Sequence, residues 1–209
     1  DVPGVFESHE TMLASRDLDL VSVCTPIPTH AGITIDCAMA GVDGVHCEKP
    51  MASTWAEARA MAQVCDARDV QLTFGHQRRF GEPFREAKRL LDAGRVGDLE
   101  RIEISWGNFF DNGSHSVDLA TMFADEHRAS WVMGQVDYSR EHVRYGVHTA
   151  DHAFVSWQYD NGVKGVVSTG AGASFVPGFF RFRGTEGTLD LGFRGEEVDQ
   201  RCRRDGDAE

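Results

Sequence analysis

Glu48-Lys49-Pro50 sets an acid, a base and a proline where an apolar run, Val42-Asp43-Gly44-Val45-His46-Cys47, comes to an end. A buried strand of that kind delivers reactive side chains at its C-terminal edge, the edge at which α/β sheets bind ligands. Pro50 restricts Lys49 to an extended backbone, which aims the amine. The plainer alternative is a solvated Glu–Lys pair at a strand end. Asp111 and His115 make a second candidate pair. Four residues apart on a helix, their side chains share one face. An imidazole that titrates near neutral pH can take a proton there, beside a carboxylate that orients it or binds a hydroxyl. The plainer alternative is Asp111 as a helix N-cap and His115 as a core histidine bonded to backbone.

Elements to position these residues can be read along the chain. Val2–Phe6 could form a stub of strand, and Ser8 suits the N-cap of a short helix through Ala14. Leu18–Cys24 has the apolar, β-branched character of a central strand. A helix opening at Pro28-Thr29-His30 and ended by Gly41 follows, then the Val42–Cys47 strand. Next come a helix with the capping box Thr54-x-x-Glu57 and a strand at Val70, Leu72 and Phe74. Strand and helix alternating over short links predict a parallel α/β sheet. Beyond Gly75 the spacing predicts a helix over Glu82–Ala93, a half-buried strand through Ile102, Ile104 and Trp106, and a helix over Ser114–Phe123. A β-rich stretch follows, with hairpins at Asp160-Asn161-Gly162 and Gly184–Gly187. The fold class expected is α/β: a partial Rossmann-type parallel sheet, then an α+β domain with an open, mainly antiparallel sheet. The domain boundaries expected are 1–78, 79–193 and a charged, mobile tail over 194–209.

Composition narrows the function. A formal charge of -12 over 209 residues disfavours nucleic acid, which needs a basic face. No apolar run reaches the length of a membrane span, and no secretory leader is seen. The five cysteines are odd in number and lack C-x-x-C spacing, which predicts buried thiols in a reducing cytoplasm rather than disulfides or a zinc knuckle. No metal site is expected. His148-x-x-x-His152 has ligand spacing only on a helix, and its neighbours read as strand. Gly170-Ala171-Gly172 opens no helix and lacks the third glycine of a dinucleotide turn, so it reads as sheet or turn.

Six segments in order resemble the Gfo/Idh/MocA oxidoreductases: Val21–Pro26, His30, Glu48-Lys49-Pro50, Gly75–Phe80, Asp111–Asp118 and Gly184–Leu189. The resemblance implies an NAD(P) cofactor, a sugar or polyol substrate, and a hydride passed between a substrate carbon and the nicotinamide. It implies catalytic roles for Lys49, Asp111 and His115, with the proton acceptor not fixed among them. It implies cofactor contacts from Thr25, Pro26, His30, Glu48, Lys49 and Arg79, although Arg79 could equally form a salt link between domains. Asp118 is expected to be structural. A homo-oligomer through the C-terminal sheet is implied as well. The largest departure from the family is that the glycine-rich turn and the ribose-binding acid some twenty residues beyond it are not found here; the lead from Ile104 to Asp111 is also short, and the chain stops soon after the closing hairpin. The expectation is therefore an N-terminally incomplete oxidoreductase, with a cofactor-free dimerisation or regulatory module on the same scaffold as the alternative. A metal-dependent hydrolase using the histidines is a distant third.

Overall fold

The computed structural model describes residues 4–140, 142–170, 174–194 and 197–206. The chain divides into two compact units, Asp1–His76 with Val143–Val147, and Gln77–His142 with His148–Glu209.

In the first unit α1 (His9–Ser15), β1 (Leu20–Val23), α2 (Ile27–Ala40), β2 (Gly44–Cys47), α3 (Trp55–Ala67) and β3 (Gln71–Phe74) alternate. The strands form a parallel sheet in the order β1-β2-β3. The helix boundaries follow local chemistry. Ser8 Oγ accepts from the Thr11 N–H at 3.2 Å to open α1, Thr54 and Glu57 make both bonds of the capping box before α3, and Gly41 takes the left-handed conformation that ends α2. The expected strand stub is not formed in its described part: Gly4–Phe6 is irregular, and Val2 and Pro3 lie outside the described residues. Val23, Val45 and Cys47 from the strands and Cys37, Met61 and Cys65 from the helices make a dry core. Burial pushes the thiols of Cys37 and Cys47 up to about 11 and raises that of Cys65, because a thiolate would lose its hydration there. Cys24 departs from the expected buried thiols and is exposed, one residue past the end of β1.

The second unit holds a 3-10 turn at Gln77–Phe80, then α4 (Glu82–Asp92), β4 (Leu99–Ile104), α5 (Asp111–Phe123) and β5 (Ala129–Asp137). Next in the chain come two short strands, β6 (His142–Arg144) and β7 (Val147–Thr149), paired with each other, of which residues Val143–Val147 belong to the first unit. The rest is β8 (His152–Tyr159), β9 (Lys164–Gly170), β10 (Phe180–Gly184), β11 (Gly187–Arg194) and β12 (Glu197–Arg204). The large sheet runs β12-β11-β10-β4-β9-β8-β5, antiparallel except for the parallel pair β4–β9. Phe180 and Phe182 stack at 5.7 Å in its core, with Phe123 of α5 edge-on to Phe182 at 4.5 Å.

Two expectations are corrected here. The half-buried strand keeps Ile102 and Ile104 inside, but Glu103, expected on its wet side, is buried, and Trp106 lies past its end. Arg183 Nε donates to the Glu103 carboxylate at 2.6 Å and Arg101 Nη2 at 2.8 Å, and paired guanidinium groups make a buried carboxylate tolerable. The tail expected to be mobile from Arg194 forms β12, paired with β11 along eight residues. Cys202 packs on the core and Gln200 Nε2 donates to the Pro83 carbonyl at 2.7 Å. Among the described residues no helix is long and apolar enough to cross a membrane.

Candidate active site

In the first unit β1, β2 and β3 lie in register, Val23 beside Cys47 and Cys47 beside Phe74, so the chain leaves all three at one edge. Cys24-Thr25-Pro26, Glu48-Lys49-Pro50 and Gly75 are gathered there. The Glu48 N–H donates to the Val23 carbonyl and the Gly75 N–H to that of Cys47, both at 2.9 Å. Glu48 is half-buried rather than a solvated partner. Its Oε2 accepts from the Lys49 N–H at 3.2 Å, and its carboxylate lies against Gly75, where an added Cβ would stand 3.2 Å from it. The Lys49–Pro50 peptide is cis.

His30 ties the two loops together. It projects from the first turn of α2, is 1% exposed, and sets Nδ1 at 2.9 Å from the Pro50 carbonyl and Nε2 at 2.8 Å from that of Thr25. Thr29 secures the same turn, its hydroxyl donating to the Pro26 carbonyl at 2.7 Å. Thr25, Pro26, His30, Glu48 and Lys49 all line one cavity of about 650 Å³, whose wall is completed by Ile27 and the Tyr145-Gly146 pair. A mainly apolar hollow with an ammonium, a carboxylate and a threonine along its wall has the volume and polarity of a small-molecule or cofactor site.

The second candidate pair stands on α5 in the second unit. Asn108 opens that helix, its Oδ1 accepting from the Asp111 N–H at 2.7 Å, so the helix starts earlier than expected and Asp111 is its first residue rather than its cap. Asp111 and His115 are 4% and 2% exposed and sit one turn apart on the inward face. Arg78 lies near Asp111. Its guanidinium stacks over Trp106 at 3.9 Å, and Nη2 stands 3.5 Å from the Asn112 amide oxygen. Burial lowers the Arg78 guanidinium from its ordinary value, and the charge of Asp111 pulls it back up.

Arg79, expected at the cofactor or between domains, is committed elsewhere. Its Nε and Nη2 grip Asp118 at 3.0 and 2.8 Å, and Nη1 donates to Glu126 at 3.1 Å, all within the second unit. The fork matches a carboxylate better than a distant ligand could. Asp118 is the structural anchor of that grip. His148 and His152 lie in strands as expected and not on a helix, although on two different ones, β7 and β8, separated by a bend. Among the described residues the one cluster with metal-ligand spacing is His9, Glu10 and Asp36, on the surface of α1 and α2. Gly170 ends β9; Ala171 and Gly172 lie outside the described residues.

Sequence reasoning passed over Tyr145 and Gly146 at the first cavity, and Arg78 and Trp106 beside Asp111. A Tyr-Gly pair between two short alternating runs is a faint turn signal, and an arginine–tryptophan contact across 28 residues leaves none.

Comparison with known proteins finds relatives for both parts of the chain. Residues 1–76 match the family model described as "Oxidoreductase family, NAD-binding Rossmann fold", and residues 105–190 match "GFO/IDH/MocA C-terminal domain". Inositol 2-dehydrogenase of Rhizobium meliloti is 31% identical over 132 residues, covering 56% of this chain and 40% of that protein. Myo-inositol 2-dehydrogenase of Thermotoga maritima is 28% identical over 182 residues, covering 79% of this chain and 54% of that protein. The solved WlbA dehydrogenase of Bordetella pertussis, in complex with NADH and UDP-GlcNAcA, shares the fold with a TM-score of 0.77 at 21% identity, over 98% of this chain and 64% of that one. This chain thus spans about half the length of the curated relatives it matches. With both family models matched in order, the chain belongs to the Gfo/Idh/MocA oxidoreductase family.

Proposed function

We propose that the chain serves an NAD(P)-dependent dehydrogenase that acts on a CH–OH carbon of a sugar or polyol. One observation carries the reading: in a member of this family, Lys49 lines a ligand-sized cavity while Asp111 and His115 are buried together on α5. Bound nicotinamide would supply the hydride acceptor, and the remaining work falls to the chain. Lys49 carries a positive charge to the reacting oxygen, where it stabilises developing negative charge. His115 takes the hydroxyl proton, and Asp111 orients the imidazole or holds a neighbouring hydroxyl. Thr25, Pro26, Glu48 and the His30-clamped loops shape the cofactor cleft. The names of the inositol dehydrogenase relatives support a polyol as substrate.

The test is steady-state oxidation of a polyol panel, myo-inositol first, followed by reduced-nicotinamide absorbance. Lys49→Met and His115→Ala should each lower kcat by about a hundredfold or more. Wild-type rates in both variants would refute the assignment.

We also propose self-association through the large sheet. Its edge strand β5 exposes Trp131, Val132, Met133 and Val136, an apolar edge that invites a second copy. Sedimentation should find an oligomer that Val132→Glu weakens, and a monomeric wild type would refute this.

A further inference from the structure

Tyr145 and Gly146 are the two residues that join β6 to β7. Both have positive φ, 51° and 84°. Two successive left-handed residues make the turn that matches the strand twist of a tight hairpin, and the residues that fit it are Asn-Gly or Asp-Gly. A bulky aromatic at the first position is an outlier. Strain of that kind persists where the surroundings use it.

The surroundings show a use. The segment Val143–Val147 belongs to the first compact unit, and Tyr145 lines the same cavity as Thr25, Pro26 and Lys49. Gly146 fits closely against Pro28, so that an added Cβ would meet the proline ring at 3.1 Å. The turn is thereby held at the mouth of the loop that opens α2. The Arg144 guanidinium lies 5.1 Å from the Tyr145 ring centroid and flanks the ring. An asparagine would suit the turn better but would offer the cavity no flat face.

We propose that Tyr145 is a stacking residue for the cofactor, its ring forming one wall against which the nicotinamide lies. This rests on the reading of the cavity as a nicotinamide site and adds a residue to it. The turn keeps an ill-suited side chain because that side chain provides a π-face.

The test compares wild type, Tyr145→Phe and Tyr145→Asn in a titration with NADH, read by its fluorescence, alongside thermal unfolding of each. Tyr145→Phe keeps the ring and should bind within about twofold of wild type. Tyr145→Asn should bind NADH about tenfold more weakly, the loss of one stacking face, with an unchanged or higher thermal midpoint because the turn is relieved. Equal NADH affinity in wild type and Tyr145→Asn overturns the stacking role and leaves the nicotinamide reading in place. A Tyr145→Asn midpoint that falls along with affinity makes the effect structural and also overturns it. A folded wild type that binds no NADH overturns the nicotinamide reading, and this inference with it.

Discussion

Replacing His30 with leucine should cost the first unit about 1–3 kcal/mol. The figure follows from two contacts. The ring is 1% exposed and meets the Pro50 carbonyl at 2.9 Å and the Thr25 carbonyl at 2.8 Å. A carbonyl only accepts, so a neutral imidazole donates to one of them and a doubly protonated ring to both. The neutral ring supplies a donor to one carbonyl, and leaving that one without it costs about 1–3 kcal/mol, while leucine, close in volume, limits any cavity penalty. Hydrogen exchange of the β1 and β2 amides, with urea unfolding followed by circular dichroism, reads the loss where it occurs. The same change should weaken NADH binding, because the clamp sets the Thr25-Pro26 and Lys49-Pro50 loops relative to each other. A loss below about 0.5 kcal/mol, the level of an ordinary surface substitution, would refute the clamp.

Other outcomes follow from the same structure. With a thiol reagent near pH 8, Cys24 should react first and Cys202 more slowly, while Cys37, Cys47 and Cys65 react only on unfolding. Thiols raised to about 11 in the native chain are still protonated after their unfolded counterparts, near pH 8.5, have ionised. Their contribution to stability is therefore complete below pH ~8.5 and lost as pH rises through the native value; denaturation midpoints flat from about pH 8 to 11 would contradict this. Arg79→Ala should cost about 1–2 kcal/mol, the upper part of a partly exposed forked pair, and Arg79→Lys should recover less than half by denaturant titration. If Arg79→Ala weakened NADH binding without loss of stability, Arg79 would return to the cofactor site.

Much of the first unit was legible because its signals are local. A capping box, a glycine at a helix end and short apolar strands each report on a few neighbouring residues, and α2, α3 and the β-sheet formed around them. The convergence of Thr25, Pro26, Glu48 and Lys49 was legible for the same reason, since parallel strands in register must end together. Features built on distant partners were not. Glu103 looked solvent-facing because Arg183, eighty residues away, is invisible to a period-two pattern. The tail looked mobile because charges outnumber the alternating Val198, Gln200 and Cys202, yet pairing with β11 is made by backbone and is indifferent to charge. The partner of Arg79 was hidden for the same reason that Tyr145 went unseen: neither Asp118 nor the cavity is near in sequence.

The central claim is that hydride leaves a polyol carbon for the nicotinamide, with Lys49 and His115 on the reacting hydroxyl. The most direct measurement incubates the chain with NAD and a polyol deuterated at the carbon to be oxidised, then weighs the recovered nicotinamide cofactor. The account predicts deuterium in the reduced cofactor, with transfer suppressed in Lys49→Met and His115→Ala. Folded chain that binds NADH yet moves no deuterium from any polyol offered would contradict it.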